Sequence, residues 1–288
     1  MTPSPAQTAP GTRPGPEAIQ VLGFRISNEE SARLRSLMLQ ETGINLSDKK
    51  NALLVNRLGP RLRARKLQTF TEYCRLLQDP KEADELQAAI DLVTTNETSF
   101  FREPEHFQLL REHLKSLRPL PLPFRVWSAA SSSGEEAYTI AMVLSDVLGS
   151  AEWEVVGTDI STRMIERGRK AIYPMERTGK IPPEFLKRFC LKGQDKHEGL
   201  FLIQRQLRDR VSFVQANLCQ ALPRLGPFDI AFLRNVLIYF DPVQKQRVVA
   251  AVRDQLKPGG LLIVGHSESL TGLSHGMVQL RPTLYRLA

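Results

Sequence analysis

No stretch of the 288-residue sequence approaches the roughly 18 consecutive apolar residues that a membrane helix needs, so no membrane insertion is expected. The first twenty or so residues carry several prolines, small polar residues and a lone Arg13. They lack the apolar core of a secretory signal, and residues 1–22 read as a disordered tail. Cysteine is scarce: Cys74, Cys190 and Cys219 are odd in number, far apart and in no metal-ligand spacing. That excludes a disulfide framework and a zinc site, and implies reduced, buried thiols in a cytoplasm with no metal. Also missing are a Gly-x-Gly-x-x-Gly fingerprint and any Ser/His/Asp or Cys/His constellation for nucleophilic catalysis.

What is present is an ordinary globular composition, 42% hydrophobic and 24% charged, long enough for one α/β domain and a smaller companion. A net charge of +8 points to an acidic partner: nucleic acid, an anionic membrane or an acidic protein. Residues 23–93 read as a helical domain, because Leu34, Leu37, Met38 and then Leu53, Leu54, Leu58, Leu62 recur at helical spacing. Ser27 with Glu30 forms a capping box, whereas Ser47 with Lys50 does not. Residues 94–123 read as a linker: a polar and aromatic connector, Thr94 to Arg102, a helical stretch, and the proline-rich run Pro119 to Pro123.

From residue 124 to residue 288 strand and helix patterns alternate. Strands are expected at Arg125–Ala130, Glu154–Asp159, Val211–Gln215, Phe228–Arg234 and Leu261–Gly265. Helices are expected at Glu135–Leu148, Ser161–Ala171 and Pro242–Leu256. This order implies an α/β fold with a doubly wound, mostly parallel Rossmann-like sheet. The alternation breaks between Tyr173 and Asp209, where Gly193, Gly199 and the run Leu200 to Ile203 suggest a small inserted β-subdomain at about residues 176–208. Met277–Leu280 and Leu284–Leu287 read as a terminal antiparallel hairpin.

The first strand runs into Ser128-Ala129-Ala130-Ser131-Ser132-Ser133-Gly134-Glu135-Glu136, whose small residues let backbone approach a ligand. Two acidic residues stand where a dinucleotide site would hold phosphate. Carboxylates repel phosphate and attract an ammonium or sulfonium, which favours S-adenosylmethionine, although complementing the helix dipole would also account for them. Asp159 ends the second strand, where a carboxylate accepts hydrogen bonds from both ribose hydroxyls. Asn217 and Leu218 follow the third strand, Asn217 to pair with adenine and Leu218 to pack on it. Arg234, Asn235 and Tyr239 follow the fourth. Ligands of open α/β sheets sit beyond the carboxyl ends of the strands, so these segments share one crevice.

Together these residues resemble the CheR-type chemotaxis receptor methyltransferases over roughly residues 26 to 288. The carriers are Thr94 to Glu103, Arg125 to Ala130, Ser132 to Glu136, Arg234-Asn235 with Ile238-Tyr239-Phe240, and Gly265-His266-Ser267-Glu268-Ser269. Ala137 stands where many members have proline. The resemblance implies cofactor contacts at Asn96, Thr98, Arg102, Glu136, Asp159, Asn217, Leu218, Arg234 and Asn235, with the connector lying over the cofactor as a lid. It implies methylation of receptor glutamate side chains, with S-adenosyl-L-homocysteine as product. A glutamate with pKa near 4.3 is already ionised at neutral pH, so no general base is needed. Arg102 and Tyr239 are candidates to hold that carboxylate, the lesser alternative being Tyr239 as a core aromatic with its hydroxyl satisfied by backbone.

No acidic residue falls between Lys49 and Lys66, and Arg57, Arg61 and Arg65 repeat at i+4 opposite the leucine stripe. A charge run is usually a solvated face. Family members, however, use this helix to dock the acidic helical region of the receptor, which makes Lys50, Arg57, Arg61 and Arg63 the docking candidates. Gly59-Pro60 could kink or break it. The resemblance also implies, for some members, capture of a receptor C-terminal peptide by strand addition to the β-subdomain, and the loop Gly193 to Gly199 suits that type. The rival reading is a nucleic-acid methyltransferase with a basic docking helix. At the reactive corner it would want Asn/Asp-Pro-Pro-Tyr/Phe, where this chain has Arg234-Asn235-Val236.

Overall fold

Helix α1 (Asn28–Thr42) starts on the expected capping box: the Ser27 hydroxyl accepts the Glu30 N–H, and the Glu30 carboxylate accepts the Ser27 N–H at 2.9 Å. It ends at Gly43, whose φ of 71° favours glycine. A β-carbon there would lie 2.3 Å from Cys219 Sγ, so the same glycine lets the helix end approach the other domain. Helices α2 (Asn51–Ala64), α3 (Phe70–Leu77) and α4 (Ala83–Val93) complete the bundle. Leu34, Met38, Leu54, Leu58, Leu62, Phe70 and Tyr73 are fully buried in its core.

The computed structural model describes residues 19–21, 24–47, 51–117, 119–120 and 122–288. The expected disordered tail therefore lies outside the described residues up to residue 18. Its end is revised, because β1 (Ile19–Val21) pairs antiparallel with β2 (Phe24–Ile26) and cannot belong to a tail. Lys50 also lies outside the described residues. Pro60 does not break α2, which continues to Ala64.

Two arginines on the basic face of α2 are engaged within the bundle. Arg57 donates to the carbonyls of Val93 and Thr94, at 2.9 and 3.1 Å, and so closes the end of α4. Arg61 makes a two-pronged ion pair with the buried Glu85, which also accepts the Tyr73 hydroxyl at 2.8 Å. These donors, with Arg61's charge, hold Glu85 ionised with a lowered pKa although burial acts to raise it. Arg65 pairs with Glu82. Arg57 and Arg61 thus serve the bundle itself. Arg61→Ala is expected to cost about 1–3 kcal/mol, because Glu85 loses a charged donor pair. Urea unfolding of the full chain checks this.

Beyond α5 (Glu105–Ser116), seven strands form the main sheet: β3 (Phe124–Ala129), β4 (Trp153–Asp159), β8 (Val211–Gln215), β9 (Phe228–Leu233), β10 (Leu256–Val264), β11 (Met277–Arg281) and β12 (Leu284–Leu287). Their order is β11-β12-β10-β9-β3-β4-β8, parallel except for the terminal hairpin. Both faces are covered, and side chains alternate between them. Val126 and Ile230 face the core under α6 (Glu135–Leu148), while Trp127 and Ala231 face the core under α8 (Pro242–Arg253). Successive strands run outward from β3 in opposite directions, to β4 and β8 on one side and to β9 and β10 on the other. The switch point between β3 and β9 opens a crevice at their carboxyl ends.

The inserted unit starts earlier than expected. Its first strand, β5 (Ile172–Pro174), pairs antiparallel with β7 (Leu200–Ile203), and β7 pairs with β6 (Cys190–Lys192). Residues 172–174 follow directly on α7 (Thr162–Lys170), so helical continuity masked the strand in the sequence.

Candidate functional site

The loop after β3 coils tightly, with positive φ at Ala130 (61°), Ser132 (50°) and Gly134 (94°). At Gly134 a β-carbon would lie 2.8 Å from the Phe213 ring and 3.1 Å from Gly168 Cα, so only glycine fits. The coil turns the Ser132 N–H onto Asp159 Oδ2 at 2.9 Å, and the Ser161 N–H meets Oδ1 at 2.9 Å. Each Asp159 oxygen keeps a lone pair. Burial pushes this carboxyl up to about 6 against the pull of those backbone donors.

The two loop acids divide their work. Glu135 is fully buried, accepting Ser133 Oγ at 2.6 Å and Arg177 Nη1 at 2.7 Å, and so ties the inserted unit to the sheet. Glu136 faces the crevice, where it accepts Ser128 Oγ at 2.7 Å and Arg234 Nη1 at 2.8 Å. Burial raises its pKa despite Arg234. Arg234, with 1% of its side chain exposed, also reaches Glu103 Oε2 at 3.0 Å and the Arg102 carbonyl. Glu103 takes a further bond from Asn235 Nδ2 at 3.1 Å. Burial acts to raise its pKa, but Asn235 and Arg234 bring it down to about 2.

The connector is pinned down along its length. Phe100 packs edge-on against Tyr173, and Phe101 packs edge-on against Phe107 and at a tilt against Phe185. Ser132 Oγ donates to the Asn96 carbonyl, and Arg177 donates to that of Thr98. Arg102 donates to the Glu97 carbonyl at 2.9 Å, rounding the turn. Opposite, Tyr239 ends a short 3-10 turn, Leu237–Tyr239, and its carbonyl accepts the Asn45 N–H of the helical domain at 3.1 Å. Tyr239 is half-buried, which raises its phenol pKa.

One cavity of about 280 Å³ results, and Asn96, Thr98, Arg102, Glu136, Asp159, Asn217, Leu218, Arg234, Asn235 and Tyr239 all line it. The helical domain closes one side with Thr42, Ile44 and Leu46.

Against known families, residues 96–284 match the CheR methyltransferase SAM binding domain, and residues 29–94 match the CheR methyltransferase all-alpha domain. The chain belongs to the CheR methyltransferase family. A chemotaxis protein methyltransferase of Escherichia coli is 40% identical over 266 residues, covering 91% of this chain and 92% of that protein. The Salmonella typhimurium protein of the same name is 39% identical, with 91% of each chain covered. Chemotaxis protein methyltransferase 2 of Pseudomonas aeruginosa is 37% identical, over 91% of this chain and 94% of that one.

The cofactor of this CheR chain is S-adenosylmethionine, and the cavity suits it. Asp159 offers two free acceptor positions in a buried wall, Glu136 offers a second carboxylate for positive charge, and Ala130, Ile160 and Leu218 offer apolar surface. Asn217 lines the cavity and also bridges the domains. Its Nδ2 donates to the Glu41 carbonyl at 2.7 Å and its Oδ1 accepts the Cys219 N–H at 2.9 Å, so its amide already joins the two domains. Sequence spacing could not show a partner 176 residues away.

Two further acids belong to the site's frame and escaped the sequence reading as site residues. Asp91, at the end of α4, accepts the Thr162 and Arg163 N–H groups at 3.0 and 3.2 Å, capping α7 from the other domain. Glu268 supports the segment after β9. Among the described residues, ligand atoms of Glu103, His106 and His266 lie within 4.8 Å of one another. The Arg234 guanidinium on the same Glu103 carboxylate opposes a cation there.

Proposed function

We propose that this CheR chain transfers the methyl group of S-adenosylmethionine to glutamate side chains on the cytoplasmic helical region of methyl-accepting chemoreceptors, with Arg102 and Tyr239 holding the acceptor carboxylate. The observation that carries this reading is the single cavity in which an arginine and a phenol face two acids suited to a cationic cofactor. The bound cofactor supplies an electrophilic methyl group on a sulfonium. Asp159 and Glu136 fix its polar ends. Arg102 draws in the anionic acceptor, and the Tyr239 hydroxyl donates one hydrogen bond without losing its proton, which its raised pKa favours. Orientation of this kind can supply on the order of 7–11 kcal/mol. Connector and helical domain together exclude water, so opposite charges neutralise in a dry site.

Tyr239→Phe is expected to slow single-turnover transfer about tenfold, with cofactor affinity unchanged. Full-rate transfer would remove the positioning role. For receptor docking, Arg63 stays exposed on α2, close to the Phe24 ring, and is the best-supported of the described candidates. The β6 strand is an edge of the inserted sheet, which suits strand addition by a receptor C-terminal peptide. Calorimetric titration with such a peptide checks this, and absence of binding would remove it.

A further inference from the structure

The segment Asn235–Leu237 leaves β9 with three consecutive N–H groups pointing the same way, and none can join the sheet ladder. One carboxylate takes all three. Glu268 Oε2 accepts Asn235 N–H at 2.7 Å, and Oε1 accepts those of Val236 at 2.8 Å and Leu237 at 2.7 Å. Gly265 N–H adds a fourth bond to Oε2 at 2.8 Å. Glu268 is buried, and no side-chain cation pairs with it among the described residues. Its negative charge is balanced by backbone dipoles alone.

This anchor fixes a wall of the cavity. Asn235 sits at φ 57°, in the left-handed region that asparagine enters more readily than other non-glycine residues. From there its Nδ2 reaches Glu103 on the connector, and the next turn delivers Ile238 and Tyr239 to the cavity. Gly265 completes the fit, since a β-carbon at that position would lie 2.7 Å from Glu268 Oε2 and 3.1 Å from Asn235 N.

We infer that Glu268 is a positioning residue for methyl transfer, acting through the backbone of residues 235–237 to fix the turn that places Tyr239 against the acceptor. Glu268 itself does not line the cavity. The kinetic part of this inference rests on the methyl-transfer reading above, whereas the structural part does not.

Glu268→Gln keeps the shape and replaces one acceptor oxygen by an NH₂ group facing N–H donors. Amide hydrogen exchange on the full chain is expected to accelerate at least tenfold at Asn235, Val236 and Leu237, with core amides of β3 and β4 unchanged. In steady state kcat is expected to fall at least tenfold, while affinity for S-adenosylhomocysteine by calorimetry stays within about threefold, because Asp159 and Glu136 lie on other elements. Gly265→Ala, which crowds the carboxylate from the other side, is expected to reproduce the same split. Unchanged exchange at the three amides in both variants would overturn the inference, as would accelerated exchange with kcat intact. A wild-type chain that transfers no methyl group to receptor would instead remove the functional reading and leave the exchange result standing.

Discussion

Arg234→Met is expected to lower the unfolding free energy by about 3–5 kcal/mol, the range found when one partner of a buried ion pair is removed. The side chain is almost wholly buried between Glu136 and Glu103, and methionine fills its volume without its charge. Both carboxylates would then face a desolvated site uncompensated. The pH dependence separates them. Glu103 has its folded pKa depressed to about 2, so its contribution, on the order of 3 kcal/mol, is present above its ordinary value of 4.5 and lost as pH falls toward 2. Glu136 works in the opposite sense: its raised pKa means that the charged form costs stability at neutral pH, as expected of a group retained for binding a cation. Urea midpoints between pH 3 and 8 are therefore expected to converge for wild type and variant at the acid end. A variant within about 0.5 kcal/mol of wild type at pH 7 would contradict the clamp.

The second large effect concerns cofactor affinity and pH. Asp159 must be ionised to accept from two ribose hydroxyls, and its burial pushes it up to about 6. Binding of S-adenosylhomocysteine is expected to be flat above pH 7 and to weaken about tenfold per unit below pH 6. The same raised pKa makes the folded chain relatively more stable as pH falls from about 6 toward 3.8, so the lost affinity is not unfolding. Hydrogen bonds to a charged group are worth about 1.5–3 kcal/mol each, so Asp159→Ala is expected to cost at least about 100-fold at pH 8. Calorimetry across this range checks both, with Asp159→Asn expected to remove most of the slope. An unaltered slope in that variant would assign the titration to another group.

These dependences rest on groups of unequal legibility in the sequence. Strand ends were readable because a parallel sheet puts its ligand-facing residues after each apolar run, and Asp159, Asn217 and Arg234 all follow that rule. Glu136 was readable as an acid in a loop of small residues. The roles of Glu103, Asp91 and Glu268 were not, since each acts on backbone or side chains brought close only by the fold. Arg234 and Glu103 are 131 residues apart, and Glu268 meets its three consecutive N–H groups across about thirty. Helical periodicity misled in one respect: it assigned Arg57 and Arg61 to a solvent-facing stripe, whereas α4 and its C-terminal cap supply their partners. A charge pattern reports which face a residue occupies, and only packing reports what it meets.

Methyl transfer to receptor carboxylates yields methyl esters, which differ from most other methylated products in being labile to mild base. The most direct measurement incubates the full chain with methyl-labelled S-adenosylmethionine and a purified chemoreceptor cytoplasmic region. Base-labile label on receptor glutamates, lost with Asp159→Ala, is the result predicted here. Base-stable label, or label on the receptor that survives Asp159→Ala undiminished, would contradict it.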